Sequence, residues 1–364
     1  MKRLSLILWL VFLSFVAIAQ EEINNPSFDF GQKLNTLNVN GLREGLWIED
    51  TWPGCIGYIS YHNGERNGLS FTHQEETNTL SWIAYYMMGD LKVAIDFSDG
   101  GVGVRSYPLG TVLRIDYGSI NTEFSIRKSD GSFYVPYFKA YCRGYYPDGR
   151  VKSEGFIVWD KGESQEIDFK ECGVWKNYDL EQGITLKKYS DEPASIQNQN
   201  KKREALFDFG QEINHFNAEG QKEGLWVENA LPGCVSYITY QNGKRNGLSF
   251  MRHLPTNTIS WIEYSENGEL KALIQLSDGT EKSHLYPAGT VLSIHFGSIN
   301  SEFDIEKDDG TNYRPYYKAY SKYFYPDRRV KSEGFLVWDK GESLQKEAKE
   351  CGEWKRFDKN GNPL

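Results

Sequence analysis

The chain has 364 residues and a formal charge of −9, with 50 acidic against 41 basic side chains. So acidic a surface repels phosphate backbones and anionic lipid headgroups, which excludes nucleic acid as an expected partner. Its 23 Tyr, 20 Phe and 10 Trp, set against only 4 Met, favour strands over helices.

In chain order, residues 1–19 come first. Lys2-Arg3, an apolar run from Leu4 to Val16 and then Ala17-Ile18-Ala19 have the three regions of a secretory signal peptide, with cleavage after Ala19. The apolar run is short for a membrane span, and no Cys follows the small residues to take a lipid, so membrane anchoring is not expected. The mature protein is expected to be secreted or periplasmic.

From residue 28 onward, short alternating segments are punctuated by turn dipeptides, as in an antiparallel meander. Residues 58–61 run into Asn63-Gly64, a pair suited to a two-residue hairpin turn, and residues 68–71 leave it. Residues 81–85 and 91–97 flank Gly89, while Asp99-Gly100, Asp130-Gly131 and Asp148-Gly149 mark further turns. Residues 111–117 and 122–128 alternate with period two, and Gly118-Ser119-Ile120-Asn121 between them reads as a polar hairpin turn. No window outside the signal has helical periodicity. The expected fold is all-β, built of antiparallel hairpins arranged as sheets or barrels.

Residues 28–176 then recur, without a gap, at an offset of 179. Two tandem duplicated domains follow, 28–185 and 206–364, joined by a polar linker over 186–205. Because both copies keep one length and register, each is expected to be a complete folding unit. Gly149 is replaced by Arg328, so this turn is expected not to need a glycine angle.

Tyr61 to Gly68, Tyr85 to Lys92, Tyr145 to Phe156 and Gly173 to Asp179 share a pattern: an aromatic, an Asn-Gly or Asp-Gly turn, a basic strand and a second aromatic. The second copy repeats it at Tyr240 to Gly247, Tyr264 to Lys271, Tyr325 to Phe335 and Gly352 to Gly361. This pattern resembles the MORN repeat variant family, in its bacterial YwqK-type antitoxin-like form. The resemblance covers about half of each copy and implies stacked β-hairpins used as an interaction surface or spacer.

Four of the five cysteines form matched positions, Cys55 with Cys234 and Cys172 with Cys351. In an oxidising compartment they are candidate disulfide residues, and the duplication favours Cys55 with Cys172 and Cys234 with Cys351. Such bridges require each half to curl or close on itself, because an open meander holds the partners far beyond the ~7 Å reach of a bridge. The alternative is buried thiols.

No histidine has a histidine at the matched position, so chemistry common to both copies cannot use one, and no cofactor or metal site is expected. The aromatics Tyr134, Tyr137, Tyr141 and Trp159, with Tyr313, Tyr316, Tyr320 and Trp338, are the candidate binding residues. Exposed together they would stack on sugar rings; buried, they pack between repeats. Glu154, Asp160 and Glu163 lie beside Trp159 and are repeated around Trp338, which raises a glycosidase reading. The preferred expectation is a non-enzymatic binding or structural module of the cell envelope, its partner a protein or an envelope glycan.

Overall fold

Turn dipeptides reverse the chain within two residues, too tightly for any crossover, so successive strands must pair with their neighbours in sequence. The computed structural model describes residues 28–100, 106–163, 168–179, 181, 183–189, 206–280, 286–307 and 309–364. The signal-peptide residues and residues 190–205 of the expected linker lie outside them.

Copy 1 forms one antiparallel sheet of 11 strands in sequence order. These are β1 (Thr36–Leu37), β2 (Arg43–Trp52), β3 (Cys55–His62), β4 (Glu65–Gln74), β5 (Thr79–Met87) and β6 (Asp90–Phe97), then β7 (Val112–Ile120), β8 (Phe138–Tyr145), β9 (Val151–Trp159), β10 (Lys170–Asp179) and β11 (Gly183–Lys188). Copy 2 builds the same meander. It comprises β12 (His215–Phe216), β13 (Lys222–Leu231), β14 (Cys234–Gln241), β15 (Lys244–Arg245), β16 (Gly247–His253), β17 (Thr258–Glu266), β18 (Glu269–Leu276), β19 (Val291–Ile299), β20 (Tyr317–Phe324), β21 (Val330–Trp338) and β22 (Lys349–Arg356). Among the described residues there is no helix. Asn63 and Gly64 take φ of 50° and 82°, the left-handed pair a two-residue hairpin demands.

The structure departs from the sequence reading in four places. Residues 122–128 do not extend the sheet: only Ile126–Arg127 is a strand, paired with Phe133–Tyr134 in a small separate hairpin. The cause is Asn121, whose amide donates to the Phe124 and Pro136 carbonyls and accepts from the Glu123 and Phe124 amides, turning the chain outward. Gly118 to Ile120 therefore end β7 rather than forming a hairpin turn. Arg328 does adopt the left-handed angle of Gly149, φ 68° against 82°, so the turn geometry is kept without the glycine. Strand β11 runs to Lys188, inside the expected linker, because it pairs with β10.

The fourth departure concerns the core. Each copy has its own sheet, but the largest buried cluster draws on both. Leu46, Leu69, Phe71, Ile83, Ile95 and Ile115 from copy 1 share it with their counterparts Leu225, Leu248, Phe250, Ile262, Ile274 and Ile294 from copy 2. The two sheets pack face to face, so the alternation buries one face of each against the other.

The contacts between the copies come in reciprocal pairs, as a two-fold axis requires. The Asn78 amide donates to the Val291 carbonyl at 3.0 Å and the Tyr325 carbonyl at 3.4 Å. Its counterpart Asn257 donates to Val112 and Tyr146 at 2.9 and 3.2 Å. Backbone bonds repeat the exchange: Val112 N to Asn257 O and Val291 N to Asn78 O, both 2.8 Å. On the pseudo-axis, residues meet their own counterparts. Tyr85 and Tyr264 have ring centroids 5.1 Å apart, and Gly110 abuts Gly289 so closely that a Cβ on Gly110 would lie 2.5 Å from the Gly289 Cα.

The leading segments also cross over. Phe30 packs on Phe296 of the other copy at 4.8 Å, and Phe209 on Tyr117 at 4.7 Å. Beside them Asp29 pairs with Lys322 and Asp208 with Arg143.

Candidate functional site

Alternation along β8 decides where the candidate aromatics go. Phe138, Ala140 and Cys142 point to the outer face of the copy 1 sheet, so Tyr141 points to the inner one. The sheet thus divides the four rings rather than assembling them. Tyr137 and Trp159 belong to the outer cluster, Tyr141 packs against the shared core, and Tyr134 sits with a third cluster around Phe124 and Val158.

Each ring already has a partner. Trp159, 6% exposed, stacks on Phe138 at 5.3 Å, and Tyr137 meets Phe138 edge-on at 4.6 Å under the Lys161 ammonium. Tyr141 meets Phe156 at 4.9 Å, and Tyr134 carries Lys128 and Lys170. Copy 2 repeats this: Trp338 stacks on Tyr317, Tyr316 meets Tyr317 edge-on, Tyr320 meets Phe335 edge-on, and Lys307 lies over Tyr313.

The carboxylates are occupied as well. Glu154 accepts from Arg143 Nε at 2.9 Å, Tyr178 Oη at 2.7 Å and Lys176 Nζ at 3.3 Å. Burial would raise its carboxyl, but the Tyr178 hydroxyl and the Arg143 guanidinium outweigh that and hold it below the usual range. Glu163 accepts from the Asp160 amide at 2.7 Å, and Asp160 from the Tyr137 amide at 3.1 Å, so this pair caps a turn. Glu342 and Asp339 do the same in copy 2.

None of the five cysteines is disulfide-bonded and all are buried, which is the thiol alternative rather than the bridges. Cys55 lies on β3 and Cys172 on β10, seven strands apart in an open sheet, roughly 34 Å at ~4.8 Å per strand. The sheet does not close, and the intra-copy bridges do not form.

Two of the concave regions among the described residues adjoin these aromatics. The larger, about 900 Å³, lies on the outer face of copy 1 over Trp82, Tyr86, Phe138 and Trp159, with Arg66, Asp96 and Glu163 among its walls. Arg66 Nη1 donates to Tyr86 Oη at 3.1 Å, and its guanidinium lies 5.4 Å from the Tyr86 ring and 5.9 Å from Trp82. The smaller, about 400 Å³, lies between the copies against Tyr85, Tyr117, Tyr141, Lys139, Glu223 and Tyr240.

The outer faces of the copies are chemically different. In copy 1, Arg114 Nε donates to Asp116 at 2.7 Å and its Nη2 lies 3.1 Å from Cys142 Sγ. At the same three positions copy 2 has Ser293, His295 and Ser321, with the imidazole 2.8 Å from each hydroxyl. Burial pushes His295 down to about 4, so a neutral network replaces an ionic one.

Sequence reasoning missed Arg66, Trp82 and Asn78. For Asn78 a signal was present: Thr77-Asn78-Thr79 recurs unchanged as Thr256-Asn257-Thr258. For Arg66 and Trp82 the signal is the exchange of their neighbours Ala84 and Tyr86 for Glu263 and Ser265.

No protein-family model matches the chain, and no curated protein is similar to it. Among solved structures, it aligns over 90% of its length with 15% of a chain in "Crystal Structure of TcdB2-TccC3", at 11% identity and a TM-score of 0.16. A chain in "Structure of Photorhabdus luminescens Tc holotoxin pore, Mutation TccC3-D651A" gives the same coverage, identity and score. The chain spans only 15% of either, and similarity at this level carries no argument.

Proposed function

We propose that the chain is an exported, non-enzymatic binding or structural module of the cell envelope, built from two MORN-variant-like copies. The observation that carries this is the occupation of the carboxylates that flank Trp159 in the sequence. Glu154 holds three internal donors, and Asp160 and Glu163 cap a turn. A glycosidase needs one carboxyl to give up a proton and another to act on the sugar, and groups held this way serve the scaffold instead.

A second reading, a glycan-binding surface, is favoured by the outer groove of copy 1, where partly exposed Trp82 and Tyr86 lie beside hydrogen-bonding walls. Incubation of the purified chain with cell-wall glycan strands, followed by mass spectrometry, tests the non-enzymatic reading. Unchanged strand lengths are expected. Shortened products that disappear in Glu154→Gln would overturn it.

A further inference from the structure

The duplication provides an internal control for the outer groove. In copy 2, Arg245 Nη1 pairs with Glu263 Oε2 at 2.6 Å, and Ser265 Oγ donates to the same carboxylate at 2.8 Å. In copy 1 the counterpart of Glu263 is Ala84, fully buried, and that of Ser265 is Tyr86. Arg66 has no carboxylate among its described partners and lies over Trp82 and Tyr86 instead. One copy closes this position with an ion pair; the other opens it over two aromatic faces.

The groove's chemistry narrows the occupant. The Arg66 guanidinium lies to one side of both rings, so a cationic ligand meets a like charge there. Glu163 on the wall adds a carboxylate that disfavours an anion. What remains is a neutral molecule with an apolar ring face and many hydroxyls, and about 900 Å³ is within the range of small-molecule sites.

Resting on the binding-module reading above, we propose that the outer groove of copy 1 binds a neutral saccharide. A sugar ring lies on Trp82 and Tyr86, and Arg66 donates to its hydroxyls.

The test titrates the full chain with neutral hexasaccharides of glucose, mannose and N-acetylglucosamine, and with a sulfated oligosaccharide, by calorimetry and tryptophan fluorescence. Saturable binding of a neutral sugar at one site per chain is expected. Trp82→Ala should weaken it about tenfold, while Trp261→Ala in copy 2 should not. The decisive variant is Ala84→Glu with Tyr86→Ser, which installs the set that copy 2 already folds around; it should abolish binding with the circular dichroism spectrum unchanged. The proposal is overturned by absence of saturable binding, by preference for the sulfated sugar, by capture of a protein alone, or by undiminished binding in the double variant. Those outcomes leave the module reading standing, whereas cleavage of the hexasaccharides would sink that reading.

Discussion

At the scale of single residues, three positions set measurable properties. Arg328 keeps a left-handed turn without glycine, which costs about 1 kcal/mol, while its guanidinium reaches the Glu75 carbonyl of the other copy. Arg328→Gly relieves the first and loses the second, so its unfolding free energy should change by less than about 1 kcal/mol. A loss of several kcal/mol in urea unfolding would show that the contact dominates. His295 titrates near 4 when folded and near 6.5 when unfolded. Its neutral form is favoured in the fold, so stability is full above about pH 6.5 and falls as pH drops toward 4, by about 3 kcal/mol. Burial lowers His73 too and adds in the same direction. Melting temperatures between pH 7 and 4 should fall steeply, and His295→Gln should flatten the slope; an unchanged slope would contradict the assignment. The buried thiols predict that alkylation without reductant modifies five cysteines in denaturant, where bridged cysteines would leave four protected.

At the scale of elements, Gly110 and Gly289 mark where the turns before β7 and β19 touch on the pseudo-axis. Gly110→Ala places a methyl group 2.5 Å from the Gly289 Cα at a φ of 70°, so a loss of about 2 kcal/mol or more is expected by thermal unfolding. Much at this scale was legible in the sequence. Period-two segments and Asn-Gly turns gave the strands and their order, because both signals are local. Residues 122–128 misled because Asn121 captures nearby backbone groups, and that competition overrides an alternating pattern. The candidate rings are divided for a related reason: alternation puts neighbours on opposite sheet faces, so Tyr141 and Trp159 do not share a surface. The groove on copy 1 joins residues from β4, β5 and β8, and no single segment announces it.

For the whole molecule, an internal repeat says that two copies exist and nothing about whether they touch. The sheets meet through a face whose apolar residues match position for position, so the folded chain has the contact logic of a symmetric dimer inside one polypeptide. Reciprocal Asn78 and Asn257 contacts stitch its two ends, and their loss leaves buried carbonyls unpaired, at about 2 kcal/mol for each asparagine. The most direct measurement is urea unfolding of the full chain, followed by tryptophan fluorescence and far-ultraviolet circular dichroism, for wild type, Asn78→Ala and Asn257→Ala. One shared core predicts a single transition, coincident by both probes, shifted as a unit and by similar amounts in either variant. Two separate transitions, with each asparagine moving only one of them, would mean that the copies fold independently and would contradict the account.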